Sequence, residues 1–187
     1  MPPKVKITKE DIVNTALQVV RIGGVQAINA RTIASMLGCS TQPVFSNFAN
    51  MEELYQAVVE SAQKRYRWYT QQEMASGQYP AFKASGMAYI RFAKEEKELF
   101  KLLYMCDRSG EAITEDSDLD REMNDLVQKH TGLEKEEAML FRLETWAFVH
   151  GIATMFATGF VDLEWELVSR MLTDCYQGLM KQYHKEG

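Results

Sequence analysis

Apolar residues recur at helical spacing along almost the whole chain, and the polar residues between them fall where helices would start and stop. Ile12, Val13, Ala16, Leu17 and Val20 make the first stripe. Thr8 precedes it as N-cap with Asp11 at the third helical position, and Gly23-Gly24 ends it. Asn29 opens a second, short helix with Ile33, Ala34 and Leu37 inward, stopped by Gly38. Ser40 opens a third, with Val44 and Phe48 one turn apart on its buried side, and Pro43 then falls at its third position. Asn50 opens a longer fourth helix whose inward row is Leu54, Val58 and Ala62. Residues 76–80 mark a break, and 81–105 read as two helices with a kink near 94–98. The polar, acidic stretch 106–118 reads as a loop. A helix to about His130 breaks at Thr131-Gly132, and two long helices follow, roughly 134–158 and 162–183, turned at Gly159. No run has strand period, so the expected fold is all-α with about nine helices.

Three short capped helices, with the residues Gly38-Cys39-Ser40 between the second and third, form the pattern of a helix-turn-helix unit. Its last helix would project into a DNA major groove.

Composition narrows the class. A chain of 187 residues is one domain by size, or one domain with a small module attached. With 46 % hydrophobic and 25 % charged residues the balance is that of a globular protein, and only four prolines argue against a disordered chain. Cys39, Cys106 and Cys175 are odd in number and far apart. They fit neither a disulfide framework nor a CxxC metal site and point to a reducing compartment. The N-terminal residues lack the apolar core of a signal peptide, and the weakly polar run 146–160 is too short to span a bilayer. The expectation is a soluble, cytoplasmic protein with no membrane contact. The net charge of −5 conceals an asymmetry. Residues 1–50 hold Lys4, Lys6, Lys9, Arg21 and Arg31 against Glu10 and Asp11, a net +3, while the remainder carries −8. Only the N-terminal end is suited to a polyanion, though three lysines in an arm also occur by chance.

The run IASMLGCSTQPVFSNFANMEELYQAVV carries an Ile-Ala, a Leu-Gly, a Ser, an aromatic, then a Phe and a Glu-x-Leu. It resembles the DNA-binding region of TetR-type transcriptional regulators, over roughly residues 7–60, and the resemblance extends more loosely to the nine-helix layout. It implies a DNA-binding head in residues 1–50, a fourth helix from about 51, and a ligand-binding and dimerisation body over 51–187. It further implies a homodimer on a palindromic double-stranded operator, with repression the commoner outcome, modulated by a small-molecule effector; no cofactor and no metal are expected. Ligand would act by changing the separation of the two heads.

Carried over by position, the resemblance puts Asn29 and Arg31 at the phosphate backbone, with Ser40, Thr41, Gln42, Pro43 and Asn47 around the reading helix. Lys4 and Lys6, with Lys9, would form a reaching arm. Phe45 stands where the family commonly has a phosphate-touching tyrosine, and Met51, next to Asn50, where many members have a lysine. Both departures remove part of the backbone grip. The N-termini of the second, third and fourth helices offer N–H groups and dipole ends in its place. Gln42 suits adenine, and Thr41 or Pro43 suits a thymine methyl. Asn29, Ser40 and Asn50 also read as plain helix caps, and Phe45 as a core aromatic. With so few cations, the expected salt dependence is shallow.

In the body, ETWAFVHGIATMFATGF resembles a Trp…His-Gly signature of one branch of TetR-like C-terminal domains. Ala147 and Gly151 form a small-residue row there, and the last two helices read as a dimer seam through Phe148, Ile152, Phe156, Trp165, Val168, Leu172 and Leu179. Trp68, Phe82, Tyr89, Phe92, Phe100, Tyr104, Phe141 and Trp146 are candidates to line a largely apolar pocket. Tyr89, Tyr104 or His150 would supply its polar contacts. Each of these residues also reads as ordinary core, His150 included. No HExxH, GxGxxG, P-loop, nucleophile elbow or paired Glu-x-x-His is present, so an enzyme is not expected. The alternative function is a ligand- or partner-sensing protein of the same fold with weak or lost DNA binding.

Overall fold

A computed structural model describes residues 7–106 and 118–184, and within these all regular structure is helical. The order is α1 (Lys9–Gly23), a 3-10 turn (Val25–Ala27), α2 (Ala30–Met36), α3 (Gln42–Asn47), α4 (Met51–Ala75), α5 (Ala81–Glu95), α6 (Lys97–Tyr104), α7 (Asp118–Thr131), α8 (Lys135–Thr158) and α9 (Trp165–Tyr183). Of the acidic stretch 106–118, read as a loop, residues 107–117 lie outside the described residues, as do Lys4 and Lys6, while Asp118 begins α7.

The helices divide between two compact units. One comprises the chain to Trp68 with Glu96–Cys106, and the other Tyr69–Glu95 with the chain from Asp107. In the first, α1 starts on a capping box: Asp11 N–H donates to Thr8 Oγ1 at 3.1 Å and Thr8 N–H to Asp11 Oδ2 at 2.9 Å. Gly24, at φ +75°, ends it by donating its N–H to Val20 O. Ile12, Ala16, Val20, Ile33, Val44, Phe48, Leu54 and Val58 are buried in this unit, as are Leu99, Phe100, Leu102 and Leu103 of α6, which packs on α1. Burying such side chains is worth roughly 1.5–3 kcal/mol each relative to exposure. Of the first stripe, Val13 is only half-buried, and Val19 takes a buried place that periodicity did not mark.

The start of α3 differs from the expectation. The N-cap is Thr41 rather than Ser40, already in helical conformation at φ −72° and ψ −12°, with no side-chain cap hydrogen bond. Its carbonyl receives the N–H of Val44 at 3.1 Å and of Phe45 at 3.3 Å. Pro43 therefore occupies the second helical position. Its missing N–H has no intrahelical partner to lose there, and its fixed φ suits the first turn.

In the second unit α5 runs along α8 and α9. Gly86 permits the approach: a Cβ there would stand 3.1 Å from Leu172 Cδ2 and 3.4 Å from Val149 Cγ2. Val127, Leu133, Ala138 and Phe141 form a buried cluster, with Phe82, Tyr176, Leu179 and Tyr183 packed on it. The expected kink near 94–98 is a true break, at Glu96 with φ −120° and ψ 52°, and Gly132 and Gly159 end α7 and α8 at φ +71°.

Candidate nucleic-acid interface and body sites

Val44 and Phe48 anchor α3 from its buried side, which turns Gln42, Phe45 and Ser46 outward. Phe45 is 56 % exposed, so it is a surface side chain and not part of the core. Thr41, Pro43 and Asn47 are half-buried, and Asn47 Nδ2 donates to Pro43 O at 2.8 Å, which fixes its amide against the helix. Ser40 is exposed ahead of the helix. Beside them Asn29 caps α2 by accepting Thr32 N–H at 2.9 Å, and Arg31 stands exposed in the first turn.

The fourth helix is arranged differently from the expectation of an open, phosphate-ready end. Asn50 caps it by accepting Glu53 N–H at 2.8 Å, and Glu53 Oε2 accepts Ala49 N–H at 2.7 Å. Half-buried Met51 is followed by Glu52 and Glu53, so the first turn carries two carboxylates where a phosphate would sit. Glu53 Oε1 also holds Lys9 Nζ at 2.7 Å, and Lys9 lies 4.6 Å from the centroid of the Phe48 ring. The bond from Lys9 and the Ala49 N–H hold the Glu53 carboxyl below its ordinary range. Lys9 is thus engaged with its own domain, and the Glu53 carboxylate at the start of α4 is held by Lys9 and the Ala49 N–H. Arg21 is engaged too, by Glu96.

In the body, Tyr89 on α5 and His150 on α8 share a hydrogen bond, Oη to Nδ1, at 2.9 Å. Trp146, one turn before His150, stacks on its ring at 4.9 Å and 20°, with nearly half its surface exposed. Burial lowers the pKa of His150, favouring the neutral ring. Trp68, Phe100 and Tyr104 belong to the first unit, where Arg65 lies over Trp68 and Phe100 packs on Tyr104. Phe92 is buried against Tyr69, and Phe141 is buried against Phe82, Tyr176 and Tyr183. Phe92, Phe100 and Phe141 are buried, Tyr104 is half-buried and Trp68 is exposed. A cleft of about 390 Å³ in the first unit is lined instead by Val25, Tyr55, Glu98, Lys101, Leu102 and Met105, none of them sequence candidates.

Of the seam candidates, Ile152, Phe156, Val168 and Leu172 are buried within the protomer's own body. Phe148, Trp165 and Leu179 are half-buried. Solvent instead meets Leu143, Ala147, Gly151 and Met155, four apart along one face of α8, and Leu167 on α9. Helical period alone could not separate the two faces, because α8 is apolar on nearly all sides.

Residues 82–175 match the family model described as the tetracyclin repressor-like, C-terminal domain. The chain belongs to the TetR family. No curated protein sequence matches it. Among solved structures, a protein with unknown function from Rhodococcus sp. RHA1 superimposes with a TM-score of 0.72, at 19 % identity over 97 % of both chains. A TetR-like transcriptional regulator from the same organism superimposes with a TM-score of 0.68, at 14 % identity, over 95 % of this chain and 96 % of that one. At such identities the likeness is one of fold, and this TetR-family chain keeps the layout while replacing most of its side chains. Among the described residues no helix is long and apolar enough to cross a membrane, and no group of three His, Cys, Asp or Glu side chains could hold a metal ion.

Proposed function

We propose that this TetR-family chain is a dimeric transcriptional regulator that binds a palindromic operator through α2 and α3. We further propose that a small molecule in its C-terminal body modulates that binding. The observation that carries this reading is the outward face of α3, where Gln42 and exposed Phe45 stand on a helix anchored by Val44 and Phe48. Gln42 suits adenine, the Phe45 ring suits a thymine methyl, and Arg31 supplies a phosphate contact. The head over residues 1–50 would read DNA, and the body from 51 would bind effector and partner. Dimerisation would use the stripe Leu143, Ala147, Gly151 and Met155, whose small central residues let two helices approach closely. Tyr89, His150 and Trp146 would present polar and aromatic atoms to the effector.

A second reading, a sensor with weak or lost DNA binding, is favoured by Lys9 being held on Glu53 and by the acidic first turn of α4. Selection from random duplexes with the purified protein at low salt decides between them. Recovery of a palindrome with half-sites about one helical turn apart supports the regulator. No enrichment of any sequence supports the sensor.

A further inference from the structure

The outward face of α3 presents fewer reading groups than its sequence suggests. Buried Val44 and Phe48 fix the helix and keep Gln42, Phe45 and Ser46 outward. Ser46 Oγ donates to Pro43 O at 3.1 Å, and Asn47 Nδ2 donates to the same carbonyl at 2.8 Å. Two polar side chains are therefore turned back onto their own helix. Among the described residues, the Gln42 amide makes no hydrogen bond, and the Phe45 ring meets no other ring or cation. The reading face comes down to one amide and one ring, three residues apart.

Each group favours one kind of partner in a major groove. A side-chain amide offers a donor and an acceptor together, which match N7 and N6 of adenine. A phenyl ring has no hydroxyl, so Phe45 makes no hydrogen bond to phosphate or to a base edge. The apolar group that the base edges offer in that groove is the C5-methyl of thymine. Phe45 is exposed in the free chain, so its apolar surface is open to that contact. Side chains three apart on a helix lie about 5–6 Å from one another, and successive base pairs rise by about 3.4 Å. The two contacts therefore fall one or two base pairs apart.

We propose that Gln42 and Phe45 set operator specificity as a pair. Each half-site carries an adenine read by Gln42 and, one or two base pairs away, a thymine whose C5-methyl is read by Phe45. This assignment rests on the DNA-binding reading above and deepens it, giving the half-site two defined base pairs and a register. Arg31, exposed in the first turn of α2, holds phosphate without regard to those bases.

The test uses the full chain and the operator recovered by selection. Each half-site thymine is replaced in turn by deoxyuridine, which removes only the methyl. Each adenine is replaced by 7-deazaadenine, which exchanges only the N7 acceptor for C–H. Affinities are measured for wild type, F45A and Q42A, whose altered side chains are exposed and leave the fold in place. One deoxyuridine per half-site should weaken wild type about three- to fivefold, the worth of one buried methyl, and leave F45A unaffected. One 7-deazaadenine should weaken wild type about five- to tenfold and leave Q42A unaffected. The two sensitive positions should lie within two base pairs. Indifference to all replacements of either kind, an undiminished effect in the matching variant, or positions farther apart each overturn the proposal and leave the regulator reading standing. No enrichment in the selection overturns both.

Discussion

Arg21 and Glu96 form a two-pronged ion pair, in which Arg21 donates Nε to one carboxylate oxygen and Nη2 to the other, each at 2.7 Å. Arg65 adds Nε at 3.1 Å, so a carboxylate at the break between α5 and α6 binds α1 and α4 at once. Glu96 is nearly buried while both arginines keep some solvent contact. Burial alone would raise its pKa, and the hydrogen bonds and charges of Arg21 and Arg65 outweigh that and hold it below the ordinary 4.5.

Glu96→Gln should therefore destabilise the chain by about 2–3 kcal/mol. That is less than the ~3–5 of a fully buried pair, because the arginines remain partly hydrated. The sign with pH follows from the lowered pKa. The pair's contribution is fully present above about pH 4.5 and is lost as pH falls through the lower folded value. Urea unfolding between pH 3 and 7 should show wild type losing stability on acidification, with a flatter profile for the variant; parallel profiles count against the pair.

Arg31→Ala should weaken DNA binding about equally for all sequences and reduce the log–log salt slope by about 1. Lys9→Ala should leave the slope unchanged, because Lys9 is held by Glu53 and Phe48. Titrations from low to moderate salt provide the check. A steep wild-type slope would contradict a head in which Lys9 and Arg21 are held by Glu53 and Glu96.

Met155→Glu and Leu143→Glu should dissociate the proposed dimer while the monomer stays folded, since both side chains are exposed in the protomer. Leu172→Ala should instead cost roughly 2–5 kcal/mol of stability, because Leu172 is packed inside the body. Sedimentation equilibrium and thermal unfolding separate the two effects. Dissociation by Leu172→Ala without loss of stability would return the seam to the buried residues.

His150 should titrate below the usual histidine value of 6.5, because burial disfavours its charged form. A histidine with a depressed folded pKa binds its proton more readily when unfolded. Stability therefore falls as pH drops below about 6.5 and recovers above it. His150→Phe should flatten that part of the profile. Direct titration of the ring by NMR measures the shift itself.

Local rules made much of this fold legible. Thr8 with Asp11, Asn29 with Thr32 and Asn50 with Glu53 are contacts three residues apart, within reach of pattern reading. The stops at Gly24, Gly38, Gly132 and Gly159 need positive φ, which glycine alone adopts without cost. Even locally the reading failed at Ser40, since the chain turns helical at Thr41 before a side chain caps it. The sites were harder to read. Lys9 and Glu53 are 44 residues apart and Arg21 and Glu96 are 75, so nothing in either local pattern marks them as partners.

The sequence by itself therefore determined the helices and their order, the short third helix included, since these depend on capping, period and chain stops within a few residues. Only the tertiary structure decided which apolar face of α8 is core, which cations are already engaged, and which carboxylates are buried. Those outcomes depend on what lies opposite each side chain, and helical period fixes a face without naming what it meets.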